Sequence, residues 1–159
     1  MKDLKGKNAI VTGGSKGIGK SVCLTLANAG ANVYILDIDK HEGLKTVKEV
    51  SQLGVETDFY QINVANEIEW IDFSNVLKNK NILVDILVNN AGIWIGKDID
   101  NVSLEEYQKL ISELSFSFYK LDCRLSVPNR STLLLSSLPN GTDLFSRPTR
   151  TAIRALHGR

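Results

Sequence analysis

With 159 residues, 43% hydrophobic and 23% charged, the chain has the size and composition of one soluble globular domain with its own core. Its formal net charge of +1 implies no general attraction to nucleic acid or to acidic membranes, and no apolar run reaches transmembrane length. The first seven residues, Met1 to Lys7, are polar and lack the apolar centre of a signal peptide, so the cytoplasm is the expected location. Cys23 and Cys123 stand in no metal-ligand spacing; two buried or free thiols in a reducing compartment are expected, and no metal site.

A first strand is expected over about Asn8 to Thr12, followed at once by a glycine cluster and a helix from about Gly17 to Ala29, with Ile18, Val22, Leu26 and Ala29 at helical spacing and Gly30 as its stop. Ala31 to Leu36 reads as a buried second strand ending at Asp37. Lys40 to Leu53 reads as a second helix, with Leu44, Val47, Val50 and Leu53 inward. Glu56 to Val64 alternates as a third strand, and Glu67 to Asn79 is a third helix carrying Ile68, Ile71, Val76 and Leu77 inward. Val84 to Val88 is a fourth strand leading into Asn89-Asn90-Ala91-Gly92. Ser103-Leu104-Glu105-Glu106 is a capping box that opens a fourth helix. Leu133 to Ser137 reads as a fifth strand, and beyond Pro139 only a loop and a short helix near 151–156 are expected. Strict alternation of strand and helix implies an α/β fold: one doubly wound parallel sheet with right-handed crossovers and helices on both faces.

In such sheets ligands sit beyond the carboxyl ends of the strands. Gly13, Asp37, Asn63 and Asn90 all fall there. Glycines at 13, 17 and 19 keep side chains off the first loop, so a phosphate can approach backbone N–H groups and the positive end of the helix; Ser15, Lys16 and Ile18 complete that loop. Asp37, 18 residues after Gly19, suits the hydroxyls of an adenosine ribose and repels a 2′-phosphate, which favours NAD over NADP. Lys16 is read two ways: as a partner for a 2′-phosphate, which pulls the other way, or as a solvated charge. Asp39 reads better as a helix cap. Asn63 can accept from and donate to an adenine edge with Val64 against the ring, or simply form a turn. Asn90, Ala91 and Gly92 are placed to hold backbone around the nicotinamide-side ribose. His41 and His157 read as exposed; Trp70 reads as a packing residue, and Trp94 as a packing residue or part of a substrate cleft.

Together, Thr12-Gly13-Gly14-Ser15-Lys16-Gly17-Ile18-Gly19, Asp37, Asn63-Val64 (where Asp-Val is usual) and Asn89-Asn90-Ala91-Gly92 resemble the short-chain dehydrogenase/reductase (SDR) family over residues 1–112. The resemblance implies a Rossmann domain, a nicotinamide cofactor, hydride transfer between a small-molecule alcohol and a ketone, and a homo-oligomer. It also implies an Asn, Ser, Tyr and Lys set. Ser137, or Ser136, matches the serine, and Glu113 stands about where the Asn is expected. The Tyr-x-x-x-Lys pair has no match: one register puts Arg150 and Arg154 there, the other Ser146 and Arg150, and no tyrosine in the chain has a lysine four residues on. Arginine binds a ribose hydroxyl but does not easily shuttle a proton.

All 13 lysines lie at or before Lys120 and all six arginines at or after Arg124. The expectation is therefore one NAD(P)-binding domain over 1–159 with a family-like part at 1–112 and a diverged, truncated or frame-shifted tail at 113–159. The sheet and the oligomer interface are then incomplete on the C-terminal side. Two functions follow: an SDR-type oxidoreductase, or a catalytically impaired NAD(P)-binding remnant.

Overall fold

The computed structural model describes residues 3–93, 96–108, 110 and 135–136. Among these residues five parallel strands form one sheet: β1 (Asn8–Thr12), β2 (Asn32–Asp37), β3 (Thr57–Gln61), β4 (Ile86–Asn89) and β5 (Leu135–Ser136), in the order β3-β2-β1-β4-β5. The order reverses at β1: the chain first winds outward to β2 and β3, then returns to place β4 on the other side. The crevice above β1 and β4 is the switch point of the sheet. Register keeps the carboxyl ends together, with Thr12 opposite Leu36 and Asp37 opposite Gln61.

Among the described residues, α1 (Gly17–Asn28), α2 (Lys40–Ser51) and α3 (Glu67–Asn79) cover the faces. One layer of the core joins Val11, Val33, Ile35 and Val88 of the strands to Cys23 and Ala27 of α1 and Val50 of α2. The opposite layer joins Ile10, Tyr34, Leu36 and Leu87 to Trp70, Phe73 and Leu77 of α3. The doubly wound sheet expected from the alternation is thus present, and α3 has the bounds read from the sequence. None of the helices among the described residues is long and apolar enough to cross a membrane.

The buried faces of the helices differ from the apolar pattern. That pattern turns Ile18, Leu44 and Ile68 inward, and the structure exposes them, at 66%, 51% and 68%. The stripes that meet the sheet are Gly19, Cys23 and Ala27 on α1, and Gly43, Thr46 and Val50 on α2. Each begins with a glycine, which an apolar count passes over. A Cβ on Gly43 would run into the Phe59 ring, so α2 lies as close to β3 as backbone allows. On α3 the inward residues are Trp70, Phe73, Ser74 and Leu77; Ile71 and Val76 are half-buried.

Caps fall where the sequence places them. Asp39 caps α2 by accepting from the Glu42 N–H at 3.1 Å. Ser103 and Glu106 exchange side chain-to-backbone bonds of 3.1 and 3.0 Å at the start of a helix that opens at Leu104. His41 is exposed, beside Glu42. Cys23 is free and buried, and burial pushes its thiol up to about 12. Cys123, Glu113, Ser137, Ser146, Arg150, Arg154, His157, Trp94 and the helix near 151–156 lie outside the described residues.

Candidate cofactor-binding site

The site begins where β1 ends. Gly13 has φ +63°, a left-handed conformation that a side chain strains. Its N–H donates to the Leu36 carbonyl at 2.8 Å, holding the loop onto β2. A Cβ on Gly13 would stand 2.8 Å from the Ala91 Cα, and a Cβ on Gly19 would run into the Gly13 carbonyl and the Asn90 amide. The turn after β1, the first turn of α1 and the segment after β4 therefore pack backbone against backbone, leaving room above them for a ligand's phosphate.

Thr12 and Asn90 fasten these pieces. Thr12 is fully buried, and its Oγ1 accepts from the N–H groups of Asn90 and Ala91, both at 3.0 Å. The Asn90 Nδ2 in return donates to the carbonyls of Thr12 at 3.2 Å and Gly13 at 3.0 Å. Two strands adjacent in the sheet but 78 residues apart in sequence are thus joined at their carboxyl ends. Next to this staple, Asn89 is buried and its side-chain amide has no partner among the described residues.

Asp37 supports the glycine loop from the β2 side. One carboxylate oxygen accepts from the Ser15 N–H at 3.0 Å, and the other from the Asp39 N–H at 3.1 Å. A carboxylate has about four lone-pair sites, so two remain for ribose hydroxyls. Ser15 is buried; its hydroxyl donates to the Asp39 carbonyl at 3.2 Å, and its carbonyl accepts from the Thr46 hydroxyl at 2.7 Å. The serine thus contributes loop backbone and a tie to α2.

Helix α1 differs from its neighbours at its N-terminus. Its N-cap, Lys16, makes no side-chain cap bond, and the first turn holds no acidic residue. Helices α2 and α3 both have side-chain caps and acidic first turns. The orphan N–H groups of α1 and its dipole are left for an anion from outside. The exposed Lys16 ammonium lies 3.8 Å from the Asp39 carboxylate.

On the far side, Asn63 and Val64 follow β3. The Asn63 Oδ1 accepts from the Ala65 N–H at 3.0 Å, so the turn-forming reading holds, and Asn63 also faces the cleft. A cleft of about 520 Å³ runs across the strand ends. It is lined by Gly13, Lys16, Asp37, Asn63, Val64, Asn90, Ala91 and Gly92 among the residues singled out from sequence, and by Ile38, Asp39, Ile62 and Ile93 besides. Ser15, Gly17, Ile18 and Gly19, also singled out from sequence, do not line it. Its volume is within the ordinary range for small-molecule sites.

Sequence reasoning left Thr12, Thr46, Glu69 and Ile38 without site roles. Thr12 had a signal, a hydroxyl at a strand end directly before the glycines. Thr46 acts through the Ser15 carbonyl, 31 residues away, and had none; Glu69, six residues from its partner Asn63, stands three residues after the cap residue Asn66.

A parallel sheet of this order, a glycine turn at β1 and a cleft at the switch point together define a Rossmann-type dinucleotide fold. The short chain dehydrogenase family model matches residues 7–122, and the chain belongs to that family. It is 35% identical over 104 residues to a cyclopentanol dehydrogenase of Comamonas sp., covering 65% of this chain and 42% of that protein. It is 34% identical over 148 residues to an L-rhamnose 1-dehydrogenase (NADP(+)) of Thermoplasma acidophilum, covering 87% and 57%. A solved 7α-hydroxysteroid dehydrogenase, complexed with NADH and 7-oxo glycochenodeoxycholic acid, superposes with a TM-score of 0.75 at 32% identity, over 84% of this chain and 53% of that one. The chain thus spans about half the length of these relatives.

Proposed function

We propose that this chain binds a nicotinamide dinucleotide across the cleft, with the pyrophosphate over the Gly13–Gly19 loop and the adenosine ribose on Asp37. Asn63 and Val64 then flank the base, and the Asn90–Gly92 backbone lies toward the nicotinamide ribose. The observation that carries the reading is the glycine turn itself: Gly13 and Gly19 let the turn pack backbone to backbone against Asn90 and Ala91, and the helix that follows has no side-chain cap, so its N–H groups are left for a phosphate. The residues present therefore fit the cofactor.

NAD is preferred to NADP in this reading. Asp37 and Asp39 both line the cleft, and a 2′-phosphate would meet two carboxylates. Lys16, the one cation that lines the cleft among the described residues, is paired with Asp39.

The activity this supports is SDR-type oxidation and reduction: the bound nicotinamide supplies or accepts hydride, and a small-molecule alcohol or ketone is the other partner. Ser137 is the candidate to orient the substrate oxygen. A second reading, a cofactor-binding remnant, is favoured by a specific feature of these 159 residues: no tyrosine has a lysine four positions on. Loss of a positioned acid/base group costs about 10²–10⁴ in rate.

One experiment separates the two. NADH binding is followed by fluorescence, then turnover is sought with secondary alcohols and ketones. Binding without turnover supports the remnant. Turnover abolished by Ser137→Ala supports the enzyme. Absence of NADH binding in folded protein refutes both.

A further inference from the structure

The two residues at the base end of the cleft, Asn63 and Val64, are held from one place, the first turn of α3. The buried Trp70 donates its Nε1–H to the Val64 carbonyl at 2.9 Å. Its neighbour Glu69 takes the Asn63 N–H on Oε2 at 2.6 Å and the Asn66 Nδ2 on Oε1 at 2.7 Å.

This differs from an ordinary helix start. Asn66 is the N-cap of α3, and its Oδ1 accepts from the Ile68 N–H at 3.0 Å. Glu69, three residues on, is where a capping-box glutamate stands, and such a glutamate reaches back to the N-cap N–H. Glu106 does so to Ser103 in this same chain, at 3.0 Å. Glu69 does not. The Asn66 N–H donates instead to the Asn63 carbonyl at 2.9 Å, and Glu69 passes over it to the Asn63 N–H. Its second oxygen then locks the Asn66 side chain that caps the helix. Both carboxylate oxygens are thus committed to the loop that walls the cleft.

The group so positioned has a definite polarity. The Asn63 Oδ1 faces the Ala65 N–H, and only an oxygen can accept there. The other end of the carboxamide is therefore Nδ2, a donor, on a residue that lines the cleft.

We infer that Glu69 is a positioning residue for the base-side half of the bound dinucleotide, holding Asn63 so that its amide donor meets a ring acceptor of the base. This rests on the reading of the cleft as a dinucleotide site. Glu69 itself does not line the cleft.

The hydrogen-bond chemistry supplies a test with its own rescue. In Glu69→Gln, the amide oxygen must serve the Asn63 N–H, so the amide nitrogen faces the Asn66 Nδ2, donor against donor. In Asn66→Asp, two carboxylates face each other. In the double variant the introduced amide donates to the introduced carboxylate, whose other oxygen still caps Ile68; net charge matches the parent.

Dissociation constants are measured for NADH, AMP and NMNH, which lacks the base-side half, with thermal unfolding alongside. Each single variant weakens NADH and AMP about fivefold and leaves NMNH within about twofold, and the double variant restores NADH to within about twofold of the parent. Unchanged NADH binding in the single variants, equal weakening of NMNH, or no rescue overturns the inference while leaving the cleft assignment intact. A parent protein that binds none of the three overturns the cleft assignment, and the inference falls with it.

Discussion

Thr12→Val removes one hydroxyl and keeps the shape of the side chain. Thr12 is fully buried, so water does not replace the lost oxygen. Two backbone donors, Asn90 N–H and Ala91 N–H, lose the acceptor they each hold at 3.0 Å. A buried donor left unsatisfied costs about 1–3 kcal/mol. Both donors are only partly buried, which places the pair toward the lower end, about 2–4 kcal/mol together. For a chain of this size that corresponds to a fall in melting temperature of about 6–12 °C. Thr12→Ser keeps the hydroxyl and loses one methyl, worth about 1 kcal/mol. The assay is thermal unfolding by far-UV circular dichroism, with NADH titration on the folded variants. The expected order of stability is parent, Thr12→Ser, Thr12→Val, with NADH affinity falling in the same order. If Thr12→Val is as stable as Thr12→Ser, the hydroxyl is not the fastener described above.

Gly19→Ala tests the backbone packing: alanine in a helix is ordinarily about 1 kcal/mol better than glycine, but here its methyl meets Gly13 and Asn90, so the melting temperature falls; a rise contradicts the packing. Asp37→Ala removes the acceptor for Ser15 N–H and Asp39 N–H together with the carboxylate proposed above to oppose a 2′-phosphate. NADH weakens about tenfold and its advantage over NADPH shrinks toward unity, read by parallel titrations; an unchanged ratio removes Asp37 from cofactor selection. At Asp85, burial raises the carboxyl pKa, but the Lys7 ammonium and the Asn8 N–H outweigh it and the net direction is down. Asp58 behaves alike: burial raises it, and Lys80 with the Phe59 N–H brings it below the usual value. Since the folded pKa is the lower one, these groups stabilise above about pH 4 and that contribution is lost as pH falls below it. Unfolding midpoints measured from pH 6 downward are expected to be flat and then fall; Asp85→Asn flattens part of the acid limb, and an unaltered limb refutes the assignment.

The cleft was legible because its parts are glycines and polar residues at strand ends, where an apolar pattern breaks off. Gly13, Asp37, Asn63 and Asn90 each interrupt such a pattern, and the structure brings all four to one cleft. The bounds of α3 were legible for a similar reason, since Asn66 is a cap residue directly before the helical pattern. The helix faces were less so. Gly19 packs against the turn after β1 and Gly43 against Phe59 of β3, and neither has a side chain to count, so Ile18 and Leu44 drew the expected stripe to the wrong side. Side-chain roles within the loop were hidden too. Ser15 stands where its hydroxyl can face a phosphate, yet the hydroxyl turns to the Asp39 carbonyl. Asp37 is a ribose candidate by position, and its bonds to Ser15 and Asp39 depend on a loop fold that spacing alone does not specify.

The central claim is that the cleft above β1 and β4 holds a nicotinamide dinucleotide. Isothermal titration of the folded chain with NADH, and separately with NADPH, tests it most directly. The account predicts saturable one-to-one binding of NADH, tighter than that of NADPH. Folded protein that gives no saturable signal with either contradicts it.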